Sequence, residues 1–249
     1  MQIITVAVVK GGTGKTTTAA ALAQAAAADK KKVLAVDLDP QANLSFYLAA
    51  DQNRPGSYEL LNGGDPAELI QHTAQGLDVI PGSPDLATER TTPGSAKRLQ
   101  DALEPLKRKY SIIIIDTPPQ LGELTYNALQ ASTRLLIPLQ AEPGSLQGLY
   151  QISDVAHQIQ NTNPGLKISG TIITSYDNRP KINRTMKEAI EAAGAEAGAP
   201  FLMAIRGGIS VKEAQALQLS LYEYAPRSRP AEDYLQLYSI IASRKENRK

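Results

Sequence analysis

The sequence contains no cysteine and no apolar run of 18 residues, and each absence excludes some kinds of site or segment. Without cysteine the chain cannot form a disulfide framework, an iron–sulfur cluster or a thiolate metal site. Without a long apolar run it has no segment typical of a membrane-spanning helix. Only Met1 and Gln2 precede the first apolar stretch, so we expect neither a signal peptide nor an N-terminal arm. Together these features predict a cytoplasmic protein.

An excess of charge of one sign is also missing, since 26 Lys and Arg residues oppose 25 Asp and Glu residues. The balance nevertheless changes along the chain. Residues 1–178 carry 14 basic and 17 acidic residues, whereas residues 179–249 carry 12 and 8. The basic surplus toward the C-terminus is either ordinary solvated charge or a binding surface.

Apolar, β-rich stretches alternate with helical patterns along the chain. Strands are predicted at 3–9, 32–38, 76–82, 111–116, 133–139, 167–176 and 200–205. Helices are predicted at 14–28, 95–110, 144–160, 181–193 and 231–245, with short helices within 57–75. Unbroken Ile, Val and Leu runs joined by helices are typical of an α/β fold with a mainly parallel central sheet and helices on both faces. Without an internal repeat or a long linker, residues 1–249 are predicted to form one domain.

A glycine-rich loop, VVKGGTGKTT at 8–17, links the first strand to the first helix. It fits a phosphate-binding loop, although Val9 stands where the usual pattern has its first glycine. Glycines let backbone N–H groups turn toward phosphates, and the next helix points its N-terminus at the same place. Lys15 can reach the β- and γ-phosphates, and the Thr16 hydroxyl can bind Mg²⁺. The predicted nucleotide-binding residues of the loop are Lys10, Gly11, Gly12, Thr13, Gly14, Lys15, Thr16 and Thr17.

Three aspartates each follow an apolar strand, at the edge where open α/β sheets bind ligands. Asp116 ends the run IIIID and fits a carboxylate that holds Mg²⁺ directly or through water. Asp37 belongs either to the Mg²⁺ shell or to the cap of a helix that begins after Pro40. The predicted metal-binding residues are Thr16, Asp37, Asp39 and Asp116.

The loop with its extra lysine, Lys10, resembles the deviant Walker A loop of the ParA/MinD family. Similar motifs follow in the family's order: VDLDPQANLS (36–45), IIIIDTPPQLGELTYNAL (112–129), IPLQAEPGSLQGL (137–149) and YEYAPRSRPAEDYLQL (222–237). The resemblance implies a P-loop NTPase fold and a homodimer that binds ATP with Mg²⁺ and hydrolyses it slowly. It also implies that Lys10 crosses the dimer interface to the phosphates of the other subunit. Asp39 is implied to place the attacking water or the metal, so the predicted catalytic residues are Lys10, Lys15 and Asp39.

The site of the adenine base is less clear from the sequence. The loops after the predicted strands 167–176 and 200–205 are expected to flank it. The candidate residues in and around these loops are Thr174, Asp177, Arg206 and Ile209.

Members of this family divide by what their ATP-bound dimers bind. ParA-like proteins bind DNA without sequence preference through basic side chains, whereas MinD-like proteins bind membranes through a C-terminal amphipathic helix. The tail LQLYSIIASRKENRK ends in polar and basic residues and lacks the broad apolar face of an interfacial helix, so no membrane partner is expected. The DNA-binding candidates are Arg179, Lys181, Arg184, Lys187, Arg206, Lys212, Arg227, Arg229, Arg244, Lys245, Arg248 and Lys249.

The resemblance therefore favours a nucleoid-associated ATPase that drives plasmid or chromosome partition. A ParB-like centromere-binding partner is expected to stimulate its hydrolysis. One alternative is a MinD-like, membrane-associated positioning ATPase. Another is a P-loop metabolic ligase, against which Lys10 and the motif DLDPQ both count. The nitrogenase iron protein and the iron–sulfur carriers are excluded because they need cysteines.

Overall fold

A sheet of eight strands forms the centre of the computed structural model, which describes residues 1–89 and 95–243. The strands are β1 (Gln2–Val6), β2 (Val33–Asp37), β3 (Gln71–His72), β4 (Asp78–Ile80), β5 (Ile112–Asp116), β6 (Arg134–Leu139), β7 (Lys167–Tyr176) and β8 (Phe201–Arg206). Their order across the sheet is β3-β4-β2-β5-β1-β6-β7-β8. Every neighbouring pair is parallel except β3 with β4, which confirms the mainly parallel sheet.

The α-helices of the described residues connect these strands. They are α1 (Lys15–Ala28), α2 (Asn43–Tyr47), α3 (Ser57–Leu61), α4 (Pro66–Leu69), α5 (Arg98–Leu103), α6 (Glu123–Ala131), α7 (Gly144–Ile159), α8 (Lys181–Glu196), α9 (Ile209–Ala216), α10 (Leu221–Tyr224) and α11 (Arg229–Ser243). Short 3₁₀ segments lie at Pro84–Thr88, Ser95–Lys97 and Glu104–Arg108. Within the described ranges, no helix combines the length and apolarity needed to cross a bilayer.

Helices cover both faces of the sheet. Alternate side chains of each buried strand point to opposite faces, so each strand contributes to the apolar clusters on both sides. In β5, Ile112 and Ile114 join the apolar cluster under α1 and α11. Ile113 and Ile115 instead join the cluster under α5 and α6, and a third cluster lies under α7 and α8. The predicted placement of helices on both faces is therefore confirmed.

Two predicted segments differ from the structure for local reasons. The helix predicted at 95–110 is divided into a 3₁₀ segment, α5 and a second 3₁₀ segment. Pro105 lies just after α5, and because proline lacks an N–H it cannot continue the helical hydrogen bonds. The segment 57–75 does contain two short helices, α3 and α4, but it ends in the edge strand β3, which was not predicted.

Candidate functional site

The carboxyl ends of three central strands bring the predicted phosphate loop and the aspartates together. β5 lies between β1 and β2, and its last residue, Asp116, is in register with Val6 of β1 and Asp37 of β2. The phosphate loop leaves the sheet directly after β1. Parallel strands that end at one edge therefore place the loop beside both carboxylates.

The phosphate loop has a backbone that only some of its residues permit. Gly12 and Gly14 have φ values of +76° and +84°, in the left-handed region that favours glycine. Gly14 is the N-cap of α1, and Lys15 is the first residue of the helix. The Lys15 ammonium donates a hydrogen bond of 2.7 Å to the carbonyl oxygen of Lys10, so the loop curls around this side chain. Lys15 itself is only 6% exposed.

A small cavity of about 270 Å³ opens over this loop. Its walls are Gly11, Gly12, Thr13, Gly14, Lys15, Thr16, Thr17, Asp39, Asn43, Tyr47 and Pro119. The structure thus brings every predicted loop residue except Lys10 into one cavity with Asp39. This volume, the glycine-rich lining and the ammonium group of Lys15 suit a polyphosphate group.

Asp116 is a buried carboxylate without a hydrogen-bond partner on either oxygen. Burial and the neighbouring Asp37 raise the pKa of Asp116 well above its usual range, whereas the Thr16 hydroxyl lowers it. Burial lowers the pKa of Lys15, and the charge of Asp116 opposes that shift. A buried anion next to a hydroxyl oxygen is stabilised by a hard cation, so Asp116 and Thr16 fit a magnesium site.

Asp37 and Asp39 make different contacts, although they are two residues apart. The carboxylate of Asp37 accepts hydrogen bonds from the backbone N–H of Asp39 and from both the N–H and the hydroxyl of Ser45. Ser45 lies in the first turn of α2, so these contacts favour the capping alternative for Asp37. Burial raises the pKa of Asp37 to about 6. The carboxylate of Asp39 accepts one hydrogen bond of 3.0 Å, from the Gln41 N–H. Asp39 also lines the small cavity over the phosphate loop, which is called the phosphate cavity below.

A metal held by protein side chains alone has no site in the described ranges. No group of three His, Cys, Asp or Glu side chains there is arranged to hold one. A magnesium ion at Asp116 and Thr16 would therefore complete its shell with phosphate oxygens and water, as Mg²⁺ in nucleotide sites commonly does.

Lys10 forms an ion pair within its own subunit. Its Nζ lies 2.6 Å from Oε1 of Glu142, and the two side chains are 31% and 42% exposed. Gly144 leaves room for this pair, because a Cβ at that position would lie 3.0 Å from the Lys10 Nζ. In this arrangement Lys10 is directed to the loop after β6 rather than to the cavity that Lys15 lines.

A larger cavity of about 700 Å³ lies between the phosphate loop, α2 and α9. Its walls include Gly12, Gly14, Thr17, Phe46, Tyr47, Gln140, Thr174, Ser175, Arg206, Gly207, Gly208, Val211, Lys212, Gln215, Pro230 and Tyr234. Of the four base candidates, Thr174 and Arg206 are in this wall. Asp177 and Ile209 are not: Asp177 lines a neighbouring cleft, and Ile209 is 67% exposed.

The two candidates in the wall already have partners. The Thr174 hydroxyl lies 2.8 Å from the Thr13 carbonyl oxygen and 3.1 Å from that of Leu139, which fastens the phosphate loop to β7. The Arg206 guanidinium forms a forked ion pair with the largely buried Asp233 of α11, and this pair raises the pKa of Arg206. Both residues therefore shape the cavity.

The aromatic and amide side chains of this cavity were not found by sequence reasoning. Phe46 and Tyr47 end α2 with ring centroids 6.2 Å apart, and Gln215 of α9 donates a 3.0 Å hydrogen bond to the Thr17 hydroxyl. Phe46 and Tyr47 follow the motif VDLDPQANLS directly, and that adjacency was the available signal. α9 gave no signal because it is eight residues long and has one fully buried residue, Ala214.

Three arginines line the adjoining cleft, whose volume is about 760 Å³. They are Arg179, Arg206 and Arg229, and Ser175 and Gly207 lie in the walls of both cavities. Arg179 forms a forked pair with Asp177 and lowers the pKa of that carboxyl to about 2. Among the described residues, the wall of the cleft thus carries three guanidinium groups and one carboxylate, and Arg206 is also paired with Asp233 and Glu232 outside the wall.

The remaining DNA-binding candidates do not share one site. Arg184 donates to the carbonyl oxygens of Asn178 and Arg179, and Lys187 lies 3.2 Å from Glu191. Lys181 and Arg227 are exposed. Lys212 lines the larger cavity of about 700 Å³, which is named the base-side cavity after the base candidates in its wall. The last four candidates, Arg244, Lys245, Arg248 and Lys249, lie outside the described residues.

Comparison with known proteins identifies relatives of this architecture. The family described as "AAA domain" matches residues 1–168. The "Chromosome partitioning protein ParA" of Myxococcus xanthus is 37% identical over 95% of this chain and 86% of its own length. The "Chromosome-partitioning ATPase Soj" of Thermus thermophilus is 33% identical over 97% of this chain and 95% of its own.

Solved structures with the same fold extend this result. Cobyrinic acid a,c-diamide synthase from Mycobacterium smegmatis, with a bound ATP analogue and magnesium, has a TM-score of 0.84 at 29% identity and covers 97% of this chain and 94% of its own. The cell division ATPase MinD of Pyrococcus furiosus has a TM-score of 0.79 at 27% identity, with 97% of both chains covered. The predicted P-loop NTPase fold is therefore confirmed.

Proposed function

Since this chain belongs to the ParA/Soj family of partition ATPases, we propose that it is an ATPase that dimerises with ATP and Mg²⁺, binds DNA without sequence preference and drives plasmid or chromosome partition. The observation that carries the proposal is the phosphate cavity, whose wall contains Lys15, Thr16 and Asp39. The buried carboxylate of Asp116 lies close to all three side chains. The whole chain acts as one ATPase domain, because β7, β8, α9 and α11 supply much of the wall of the base-side cavity.

The nucleotide spans the two cavities. Its phosphates lie over the loop 11–17, where Lys15 and the α1 N-terminus face negative charge. Its base enters the larger cavity, whose wall carries Phe46, Val211 and Pro230 beside the amide of Gln215. A mostly apolar wall with a few polar groups is the usual lining of such a site.

Thr16 and Asp116 would hold a magnesium ion, which would neutralise phosphate charge when bound. Asp39 orients the attacking water from the wall of the phosphate cavity. Because its carboxylate accepts only the Gln41 N–H, Asp39 keeps lone pairs available for that water. Lys15 stabilises the charge that develops on the transferred phosphoryl group.

Lys10 makes dimerisation depend on the nucleotide. In the single subunit it is paired with Glu142. When two subunits face each other across their phosphates, Lys10 leaves Glu142 and approaches the phosphates of the partner. A cation that binds a triphosphate in trans couples association to nucleotide occupancy.

DNA binding uses the cleft of Arg179, Arg206 and Arg229. A dimer carries two such clefts, one in each subunit. Because ATP favours the dimer, the total affinity for DNA depends on ATP through multivalency. The dimer acts at the nucleoid, and a ParB-like centromere-binding partner stimulates its hydrolysis.

The experiment uses the Asp39→Ala variant, which keeps the phosphate loop but lacks the water-orienting carboxylate. With ATP and Mg²⁺, light scattering is expected to show that the variant is a dimer, and a column of plain duplex DNA is expected to retain it. Its rate of ATP hydrolysis is expected to be about 100-fold lower than that of the wild type. With ADP or without nucleotide, the same variant is expected to remain a single subunit and to pass through the DNA column. Single subunits under saturating ATP would contradict the proposal, as would unchanged turnover.

Two further assays, with the wild-type protein, address two other functions. The likeness to the P. furiosus MinD structure favours a membrane-positioning ATPase, and ATP-dependent pelleting with anionic liposomes but no retention on DNA would select it. The likeness to the M. smegmatis synthase favours a metabolic ligase, and ATP consumption that depends on a small carboxylic acid and ammonia or glutamine would select that.

A further inference from the structure

A chain of three glutamine side chains connects the two walls of the base-side cavity. Gln24 lies on α1, Gln75 lies in the turn between β3 and β4, and Gln218 follows α9. None of the three lines the cavity itself. We propose that Gln75, supported by Gln24 and Gln218, is a positioning residue that sets the distance between α2 and α9 and thereby the affinity for the nucleoside part of the nucleotide.

The hydrogen bonds of Gln75 reach both walls. Its side-chain nitrogen donates 2.8 Å to the carbonyl oxygen of Tyr47, the last residue of α2. The same nitrogen donates 2.9 Å to the carbonyl oxygen of Gln218, just beyond α9. One amide group therefore bonds both the last carbonyl of α2, which has no partner within that helix, and a carbonyl two residues beyond α9.

The other two glutamines hold this amide in place. Gln24 is 6% exposed; its side-chain nitrogen donates 2.9 Å to the side-chain oxygen of Gln75, and its own oxygen accepts the Leu221 N–H at 3.2 Å. Gln218 has a left-handed φ of +54°, and its side chain donates 3.0 Å to the Phe46 carbonyl oxygen. The end of α2 is thus tied to the end of α9 by two independent side chains.

The consequence is specific to one end of the cleft. Phe46 and Tyr47 line the base-side cavity from α2, and Val211 and Gln215 line it from α9. The phosphate loop does not depend on this connection, since Thr174 and the start of α1 hold it. Losing the donor of Gln75 is expected to weaken the nucleoside contacts of ATP and ADP alike, and to leave the phosphate contacts in place.

The inference rests on the proposed nucleotide site, and the experiment separates the two. Gln75→Glu keeps the shape and the acceptor that Gln24 uses, but it removes both donated bonds. We expect the Kd for ATP and for ADP to rise about three- to tenfold, as the loss of ordinary hydrogen bonds predicts. The affinity for inorganic tripolyphosphate, which has no nucleoside, is expected to stay within about twofold of the wild type.

The matched control is Gln52→Glu, because Gln52 also donates to an α2-side carbonyl, that of Ala42, but makes no bond to α9. It is expected to bind ATP as the wild type does. In turnover assays, Gln75→Glu is expected to raise KM for ATP while kcat at saturation stays within about twofold. If Gln75→Glu does not fold, Gln218→Ala, which removes the bond to Phe46, carries the same expectation.

The outcomes are distinct. Wild type that fails to bind ATP removes the proposed nucleotide site. Wild type that binds ATP, with a Gln75→Glu variant that binds it equally well, removes the role of Gln75. An equal loss of ATP and tripolyphosphate affinity would show a general loosening of the fold and would also overturn the inference.

Discussion

The phosphate end and the base end of the cleft are built from different chemistry. At the phosphate end a largely buried ammonium, Lys15, faces the buried carboxylate Asp116, which has no hydrogen-bond partner. At the base end the contacts that hold α2 and α9 in place are neutral, and they run from glutamine amides to backbone carbonyls and a threonine hydroxyl. The charged contact described there, the ion pair of Arg206 with Asp233, belongs to another part of the wall, between β8 and α11. The cleft therefore combines an electrostatically demanding half with a half that is held by ordinary hydrogen bonds.

This difference separates binding strength from shape. Buried charges interact strongly and respond to pH and to cations, because the interior screens them poorly. Neutral hydrogen bonds contribute about 1 kcal/mol each and respond to neither. Substitutions at the phosphate end are therefore expected to have large, conditional effects, and those at the base end small, constant ones.

The largest effect is expected at Lys15. Lys15→Met removes the one basic side chain that the described residues place in the wall of the phosphate cavity. The affinity for ATP is therefore expected to fall about 100-fold or more. Calorimetric titration with ATP and Mg²⁺ measures it, with the exposed Lys32→Met as the matched control. Tight ATP binding by Lys15→Met would remove the contrast between the two ends.

Asp116→Asn tests the cost of the buried charge. The pKa of Asp116 is raised in the folded protein, so its ionised form destabilises the fold, and wild-type stability is lost as pH rises through that folded pKa. The asparagine variant without nucleotide is expected to be about 1–3 kcal/mol more stable than the wild type at pH 8, and this gain shrinks as pH falls. Urea unfolding at pH 8 and pH 5 measures it. Its magnesium-dependent ATP binding is expected to weaken, and a variant less stable than the wild type at pH 8 would contradict the account.

Thr174→Val shows which end this residue serves. Its hydroxyl fastens the carbonyl of Thr13, so its loss is expected to weaken ATP, ADP and tripolyphosphate equally, by about five- to tenfold. Thr171→Val is the control, since Thr171 lies buried on the same strand and its hydroxyl has no hydrogen-bond partner. A loss confined to ATP and ADP would move Thr174 to the base end, as the sequence predicted.

The smallest effect is expected for Gln215→Leu, which removes the bond to the Thr17 hydroxyl. ATP and ADP affinity are expected to fall about two- to fivefold, equally at pH 6.5 and pH 8.5, because no charge changes. Titration at both pH values measures it. A pH-dependent loss would place Gln215 in the electrostatic half of the cleft.

The phosphate end was predictable from sequence because its parts are local. Residues 10–17 are contiguous, and Asp37, Asp39 and Asp116 follow strands whose apolar runs are unmistakable. Parallel strands bring such positions to one edge of the sheet whatever the details of the loops. The sheet and the helices on its two faces follow from the same runs.

The base end was not predictable, because its walls come from segments that are distant in the chain. α2 and α9 are too short for a helical period to show, and the bonds of Gln75 join positions 28 and 143 residues apart. Asp177 and Ile209 were chosen for their place after a strand, yet one turns to Arg179 and the other to solvent. The division of the segment 95–110, in contrast, could have been inferred from Pro105.

The pairing of Lys10 with Glu142 has a consequence for how the protein responds to its own abundance. A partly exposed ion pair of this kind is worth about 0.2–1 kcal/mol, so in the proposed dimer it is expected to break when a second subunit brings a triphosphate close to Lys10. If the proposed dimer forms, Lys10 is expected to remain paired with Glu142 in dilute solution, where single subunits are expected to hydrolyse ATP slowly. The rate of ATP turnover per molecule is therefore expected to increase with protein concentration. The local concentration of the protein, as much as that of ATP, would then control hydrolysis.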